Sequence, residues 1–336
     1  MKIAVFSAKS YDIEYLKEAN KHHDFGLDFF EAPLNPKTAR LAHGFDAVCA
    51  FVNDKLNRET LSQLAEMDIR LIALRCAGFN NVDLDAAKDL GITLVRVPAY
   101  SPHAVAEHAV ALILTLGRKI HRAYNRVRDA NFSLERLVGF DLVGKTVGVI
   151  GTGKIGQVFS ELMMGFGCKV IAYDLYPNEE LKKKGVEYTE LQKLFESSDV
   201  VSLHCPLTPG THQIINKTSL NWMKKGAMLI NTSRGKLINT PDVIESLRNK
   251  HLGYLGIDVY AEEEKLFFRD LSERIIDDEM IMQLMTFPNV LITAHQAFLT
   301  HEALTEIAHT TLDNIQAIVD GGRSENEINM DVIQAP

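Results

Sequence analysis

Three glycines near the middle of the chain have the spacing of a site that binds a pyrophosphate. They are Gly151, Gly153 and Gly156, and they follow an apolar run, Val147–Ile150. That run is too short and too rich in β-branched residues for a helix, so it predicts a buried strand. The first glycine permits a tight turn, the second lets a pyrophosphate approach the backbone, and the third lets the next helix pack closely. Free N–H groups at the start of that helix favour negative charge.

An acidic residue after the next predicted strand indicates which dinucleotide binds. The strand Cys168–Tyr173 ends at Asp174, about twenty residues past the glycines, where a carboxylate can accept hydrogen bonds from the adenosine ribose. A 2′-phosphate there would be repelled by roughly 4 kcal/mol, the energy of unit charges about 4 Å apart at an effective dielectric near 20. No arginine directly follows Asp174. The sequence therefore favours NAD over NADP, and a glycine-rich turn without a ligand is the alternative.

Three further side chains follow predicted strands, where open α/β sheets place their ligands. Arg234 lies in "INTSRG", Glu263 in "GIDVYAEEE" and His295 in "LITAHQAF". An imidazole can give and take a proton, a nearby carboxylate favours its charged form, and a planar guanidinium binds a carboxylate bidentately. This set suits a nicotinamide enzyme acting on a small hydroxy acid. The alternative interpretations are that Arg234 is a surface cation, that Glu263 is a solvated loop charge and that His295 is a capping histidine.

Composition limits the class of protein. The chain has 336 residues, a hydrophobic content of 46% and a net charge of −8, which favour a soluble two-domain protein and disfavour nucleic acid as a partner. The N-terminal "MKIAVFSA" predicts a strand rather than a signal peptide, and no apolar run is long enough to span a membrane. The four cysteines form no C-x-x-C pair, so we expect buried free thiols in a reducing cytoplasm and no metal site.

The elements that must position these residues alternate between strand and helix along the whole chain. We predict two Rossmann-like or flavodoxin-like doubly wound parallel-sheet domains, with the NAD domain inserted into the substrate domain. Residues 1–100 form the first part of the substrate (catalytic) domain, 101–298 the NAD-binding domain, and 299–336 a C-terminal helix and tail that return to the substrate domain. A long helix is predicted from Ser101 to about Asp129. Substrate and cofactor should meet in the cleft between the domains.

Five segments together carry a resemblance to a known family. They are "TVGVIGTGKIG", "HCPLTPGTH", "NTSRG", "GIDVY" and "TAHQAFLT". Their order and spacing resemble those of the D-isomer-specific 2-hydroxyacid dehydrogenases, above all the D-lactate dehydrogenase branch, over nearly the whole chain. The resemblance implies that Arg234 binds the substrate carboxylate, that His295 is the acid/base and that Glu263 pairs with it.

The resemblance also implies further binding residues. For NAD these are the glycines and Asp174 above, together with Lys154, Ile155, Cys205, Pro206, Thr211, Thr232, Ser233, Arg234 and Asp258. Thr211 stands where many relatives carry asparagine, which makes its role the least secure of these. For the substrate they are Arg234 and His295 together with Phe51, Ala77, Gly78, Tyr100 and Phe298. The aromatic residues among them could instead be ordinary core.

Several functions fit these residues. The first is an NAD-dependent enzyme that interconverts pyruvate and D-lactate, where "D" comes from the resemblance alone. The second is a broader dehydrogenase for branched or aromatic 2-oxoacids. A third, from another class, is an NAD-sensing scaffold similar to the C-terminal-binding corepressors, although the long tail usual in those proteins is absent here. The resemblance implies a homodimer, with a tetramer as the alternative.

Overall fold

The computed structural model describes residues 1–329. The chain divides into two compact units, one formed by Met1–Ser101 together with the chain from Leu299 onward, and one formed by Pro102–Phe298. The second unit is therefore inserted into the first. The end of the predicted C-terminal tail, residues 330–336, lies outside the described residues.

The first unit contains a five-stranded parallel sheet in the order β2-β1-β3-β4-β5. Its elements up to residue 101 are β1 (Lys2–Val5), α1 (Ser10–Ala19), β2 (Gly26–Phe29), β3 (Ala47–Ala50), α2 (Arg58–Glu66), β4 (Leu71–Leu74), α3 (Leu84–Asp89) and β5 (Thr93–Arg96). The sequence did not predict β2. This edge strand is only partly buried, so it lacks the continuous apolar run that marks the central strands.

The second unit contains a seven-stranded parallel sheet in the order β12-β11-β10-β9-β6-β7-β8. Its elements are α4 (Pro102–Arg118), α5 (Ile120–Arg128), β6 (Thr146–Ile150), α6 (Lys154–Gly165), β7 (Lys169–Tyr173), α7 (Glu179–Lys183), β8 (Glu187–Tyr188), α8 (Leu191–Ser197), β9 (Val200–Leu203), α9 (Lys217–Trp222), β10 (Met228–Asn231), α10 (Thr240–Arg248), β11 (Tyr254–Ile257), α11 (Glu279–Thr286) and β12 (Val290–Ile292). The strand order reverses between β6 and β9, which is the topology of a doubly wound sheet. The predicted fold class is confirmed.

The last helix, α12 (His301–Val319), completes the core of the first unit. Thr300 caps it by accepting a hydrogen bond from the amide of Ala303. Its buried residues include Leu312 and Ile315, which pack in one cluster with Ile3 of β1. The buried face of α12 therefore packs in the core of the first unit.

The prediction of one continuous helix from Ser101 to about Asp129 is wrong. Lys119 has a left-handed backbone (φ 54) and separates α4 from α5. The chain returns against this break, where the amide of Phe140 donates to the carbonyl of Gly117 at 3.2 Å. α4 buries nine of its residues whereas α5 buries none, so the apolar stripe of α4 does not continue into α5.

A buried histidine packs against α6, the helix that begins at the glycines. His204 directly follows β9, its ring centroid lies 4.6 Å from that of Phe159 on α6, and its Nε2 is 2.9 Å from the hydroxyl of Ser202. Burial lowers the pKa of His204 to about 3. The imidazole is therefore neutral in the folded protein at neutral pH.

The pH dependence of the free energy of unfolding should show that folded His204 resists protonation. An unfolded chain protonates a histidine near pH 6.5, whereas folded His204 resists protonation down to about pH 3. Between these values the unfolded state binds more protons, so the free energy of unfolding falls as pH falls. His204→Gln cannot titrate, and its amide can still bond Ser202. We expect its stability loss between about pH 7 and about pH 4.5 to be smaller than that of the wild type by about 2–3 kcal/mol.

Urea denaturation at each pH, without cofactor, provides the measurement. His43→Gln is the matched control, because His43 is exposed and its replacement should leave the slope of stability against pH unchanged. A His204→Gln variant with the wild-type slope would mean that folded His204 accepts a proton.

Candidate active site

The three glycines form a tight turn between β6 and α6. Gly151 has a φ of +94°, and a Cβ there would lie 2.5 Å from the amide nitrogen of Cys205. A Cβ on Gly156 would collide with the carbonyl oxygen of Gly151, whereas around Gly153 there is open space. Gly153 also caps α6 without any side-chain bond to the helix amides. The first amides of this twelve-residue helix therefore have no side-chain cap, as a pyrophosphate site requires.

The carboxylate of Asp174 is tied to the same turn. Its Oδ2 accepts hydrogen bonds from the amide of Thr152 at 2.6 Å and from the Thr152 hydroxyl at 3.1 Å. Its Oδ1 accepts one from the amide of Tyr176 at 2.9 Å. Because a carboxylate oxygen can accept two hydrogen bonds, Oδ1 keeps acceptor capacity for a ribose hydroxyl.

The ends of β9 and β10 supply further polar groups on the same edge of the sheet. Ser233 joins them, because its hydroxyl donates to the carbonyl of Cys205 at 2.7 Å. The hydroxyl of Thr232 is buried and has no partner within residues 1–329, which is costly unless a ligand supplies one. The Thr211 hydroxyl instead donates to the carbonyl of Pro206 at 2.6 Å and closes its own loop. Apart from Thr211, these residues fit a bound dinucleotide.

Arg234 follows β10 at this edge and is partly buried. One of its terminal nitrogens, Nη1, donates to the carbonyl of Ser233 at 2.8 Å. In the described chain its Nε and Nη2 make no hydrogen bond, so the planar fork keeps donors for a ligand carboxylate. The next residue has to be glycine, since a Cβ on Gly235 would collide with the backbone of Tyr260.

His295 and Glu263 form a hydrogen-bonded pair. Nδ1 of His295 lies 2.8 Å from Oε1 of Glu263, and the two side chains are 17% and 15% exposed. The other carboxylate oxygen of Glu263 accepts from the amide of Tyr260 at 3.0 Å. No hydrogen bond to Nε2 of His295 exists among the described residues. The imidazole is therefore oriented through one nitrogen and keeps the other for a proton transfer.

A buried carboxylate holds the loop that carries His295. Asp258 is fully buried, and its carboxylate accepts from the hydroxyl of Thr293 at 2.5 Å and from the amides of Gln296 and Ala297 at 2.8 and 2.9 Å. Its main-chain carbonyl accepts from the amide of His295 at 2.7 Å. His295 has a left-handed backbone (φ 54), and these four bonds stabilise that conformation.

A second histidine reaches this network from α4. Nε2 of His108 lies 3.0 Å from the Thr293 hydroxyl and 3.5 Å from Oδ1 of Asp258. Burial lowers the pKa of His108, and Asp258 acts in the opposite direction. A neutral His108 can donate to Thr293, which in turn donates to Asp258. Nothing in the sequence around His108 marks this contact, because the histidine lies on an apolar helix and lacks metal-ligand spacing.

Two aromatic rings flank the imidazole of His295. Its centroid lies 5.9 Å from that of Phe268 and 6.4 Å from that of Phe298. Phe298 was predicted as a substrate residue and Phe268 was not. Tyr260, also not predicted, is held by its hydroxyl, which donates to both carboxylate oxygens of Asp278 at 3.0 and 3.1 Å. Nothing in the local sequence around Phe268 or Tyr260 marks either contact.

Comparison with known proteins decides the family. A sequence model described as "D-isomer specific 2-hydroxyacid dehydrogenase, NAD binding domain" matches residues 110–297. The chain is 53% identical over 328 residues to D-lactate dehydrogenase of Escherichia coli (strain K12), covering 98% of this chain and 100% of that one. The chain belongs to the D-isomer-specific 2-hydroxyacid dehydrogenases.

Solved structures agree. The apo-structure of D-lactate dehydrogenase from Escherichia coli has a TM-score of 0.90 at 51% identity, covering 98% of this chain and 100% of that chain. The structure of D-lactate dehydrogenase from Aquifex aeolicus, complexed with NAD and lactic acid, has a TM-score of 0.85 at 37% identity, covering 95% and 96%. This 2-hydroxyacid dehydrogenase is an NAD-dependent oxidoreductase acting on a hydroxyl group, and the predicted cofactor is confirmed.

The predicted substrate residues of the first unit of the dehydrogenase lie after neighbouring strands of its sheet. Phe51 follows β3, Ala77 and Gly78 follow β4, and Tyr100 follows β5. The loops after β3 and β4 are joined by the side-chain amide of Asn81, which donates to the carbonyl of Phe51 at 3.1 Å. The sheet thus brings these loops to one edge, and their roles stay predictions.

Proposed function

We propose that this dehydrogenase interconverts pyruvate and D-lactate. The observation that carries the proposal is the His295–Glu263 pair at 2.8 Å, with the second imidazole nitrogen not hydrogen-bonded in the described chain, on the sheet edge that holds the dinucleotide turn. The similarity to D-lactate dehydrogenases, one of them complexed with NAD and lactic acid, supports the choice of substrate.

The proposed residue roles are those that the family resemblance implies, and the contacts described above support them. Arg234 binds the substrate carboxylate through its free guanidinium donors, and the resemblance assigns the backbone amides of Ala77 and Gly78 to substrate binding as well. During reduction, Nε2 of His295 donates a proton to the carbonyl oxygen of the 2-oxoacid, and during oxidation it takes the hydroxyl proton back. Glu263 stabilises the imidazolium and fixes its orientation. NADH supplies the hydride when bound, and Asp174, Thr232 and the amides of Lys154 and Ile155 hold that cofactor.

The aromatic residues set the size of the substrate. Phe268 and Phe298 flank the imidazole and exclude water from the reacting atoms. Phe51 is held rigidly, because the guanidinium of the fully buried Arg75 lies 4.7 Å from its ring centroid. Aromatic side chains beside the imidazole disfavour a branched or aromatic substituent, and the similarity to D-lactate dehydrogenases supports the same choice, so we place pyruvate ahead of larger 2-oxoacids.

A panel of 2-oxoacids, followed through loss of NADH, tests the substrate. We expect kcat/KM for pyruvate to exceed that for 2-oxo-4-methylpentanoate and phenylpyruvate by about tenfold or more, the scale of discrimination that a shaped apolar pocket provides. In the reverse direction we expect D-lactate, and not L-lactate, to be oxidised. A preference for the larger acids would instead identify the broader dehydrogenase, and binding of NADH without any turnover would identify a scaffold.

Glu263→Gln tests the acid/base pair. Reduction needs the imidazolium of His295, which a carboxylate stabilises and a neutral amide does not. We expect the pH at which pyruvate reduction falls to half to move to a lower value, while D-lactate oxidation, which needs the neutral imidazole, keeps its activity further toward acid. His295→Gln is the comparison and should slow both directions by about 10²–10⁴. If the pH profile of Glu263→Gln overlays that of the wild type, Glu263 does not act on His295.

We further propose that the enzyme is a homodimer that associates through α5 and the segment after it. The apolar residues of this region are strongly exposed: Ile120, Tyr124, Val127, Phe132, Leu134, Val138 and Val143 are between 52% and 83% exposed. Many strongly exposed apolar side chains within one segment are typical of an interaction site. A second copy is the occupant we favour, because the reaction uses only small molecules and requires no other macromolecule.

Sedimentation velocity tests the dimer. Val127→Glu places a charge in the centre of the strip, so we expect it to sediment as a monomer where the wild type sediments as a dimer. Val319→Glu is the control, since Val319 is an exposed valine at the end of α12. A monomeric wild type, or a Val127→Glu variant that stays dimeric, would contradict this interface.

We also propose that the enzyme works in the cytoplasm. All four cysteines are buried as free thiols, which is usual in a reducing compartment. None of the helices described for residues 1–329 combines the length and apolar character that a bilayer span requires. Fractionation of the native cells, with the activity of the enzyme as the readout, tests the location; activity in a secreted or oxidising fraction would contradict it.

A further inference from the structure

A cavity of about 580 Å³, which we call the basic cavity, lies at the amino-terminal edge of the second sheet. Its lining includes Lys145 just before β6, Asp199 just before β9, and Lys224 and Lys225 shortly before β10. The cofactor residues follow the carboxyl ends of the same strands. Strands of four or five residues put about 15 Å between the two edges, at roughly 3.3 Å per residue. The basic cavity is therefore distinct from the proposed active site.

The charge of the basic cavity is opposite to that of the chain. The protein has a net charge of −8, yet the lining carries one carboxylate, Asp199, against five cations, Lys119, Arg122, Lys145, Lys224 and Lys225. Asp199 is already engaged, because Oδ1 pairs with Lys224 at 3.0 Å and Oδ2 accepts from the amide of Thr146 at 2.9 Å. In the chain up to residue 329, the four other cations form no salt bridge. Their mutual repulsion is unfavourable without a counter-ion.

A buried nitrogen in the same lining also has no partner. Nδ1 of His121 is buried and makes no hydrogen bond to any described residue. Such an atom costs free energy unless a ligand or water satisfies it. The left-handed backbone of Lys119 turns the chain between α4 and α5, and Lys119, His121 and Arg122 all line the cavity. One ligand oxygen group could neutralise the cations and satisfy this nitrogen together.

We propose that the basic cavity binds a small organic anion with at least two negative charges, an organic phosphate or a polycarboxylate. Several cations converge on one concavity, which favours a multivalent oxyanion over a single chloride. The lining is not purely polar, since Leu116, Phe140 and Tyr254 also contribute to it, and the two aromatic ring centroids are 5.7 Å apart. These groups can contact the carbon skeleton of the ligand. The proposal goes beyond the reaction and does not depend on which 2-oxoacid the enzyme reduces.

Isothermal titration calorimetry on the NADH-loaded full-length enzyme at low ionic strength tests the site. Bound NADH keeps the probes out of the pyrophosphate turn at α6, and the variants described below distinguish binding in the basic cavity from binding at Arg234. Pyrophosphate and citrate are the two probes, and we expect one saturable site per chain for at least one of them. Tighter pyrophosphate identifies an organic phosphate as the ligand class, and tighter citrate identifies a polycarboxylate.

Substitutions in the lining test whether the anion binds in the basic cavity. Arg122→Ala with Lys225→Ala removes two cations, and we expect the Kd to rise about tenfold or more, the scale of one lost charge-assisted hydrogen bond. Lys37→Ala with Lys193→Ala removes two exposed cations that do not line the cavity and should change the Kd less than about twofold. Lys225→Ala alone, at an exposed residue, should weaken binding in the same direction and guards against misfolding of the double variant. Absence of saturable binding by both probes, or equal weakening in the control pair, overturns the proposal.

Discussion

The buried carboxylate of Asp258 is the constraint on which the site depends. A fully buried charge is tolerated only when its oxygens are hydrogen-bonded, and here the donors are the Thr293 hydroxyl and the amides of Gln296 and Ala297. All three come from the chain just after β12. This loop therefore cannot relax without exposing or unpairing the charge. His295 lies within it in a left-handed conformation, so the direction of the proposed acid/base is fixed by the carboxylate beneath it.

The backbone of Tyr260 connects the other proposed catalytic groups. Its amide donates to Glu263 at 3.0 Å, while its main chain packs so closely on Gly235 that no side chain fits there. Gly235 follows Arg234, so the guanidinium that we propose to bind the carboxylate and the partner of the imidazole share one support. The Tyr260 hydroxyl is anchored on Asp278, which caps α11. A substitution at the start of α11 should therefore shift both Arg234 and Glu263, although neither contacts that helix start directly.

The sequence predicts which residues lie just after strands, but it does not predict the contacts that tertiary packing creates. The position of Arg234 and of His295 at this edge could be predicted because each lies shortly after an apolar strand, and parallel strands bring such positions to one edge. Tyr260 and Phe268 could not, because their contacts are made through tertiary packing that no local spacing records. The break at Lys119 was hidden for the same reason. Its residue type is ordinary for a helix, and the returning chain at Phe140 that meets the break is distant in sequence.

The two edges of the second sheet carry different groups that can bind anions. Helices of such a unit begin at the carboxyl edge and end at the amino edge, so their dipoles make the first edge positive and the second negative. At the first edge the free amides of α6 suffice for a pyrophosphate. At the second edge the ends of α4, α8 and α9 lie close in sequence to the lining of the basic cavity and contribute about half a negative charge each. Four cations of the lining form no salt bridge in residues 1–329, and their positive charge exceeds the negative charge of these helix ends. They therefore leave a positive potential that helix ends alone do not neutralise.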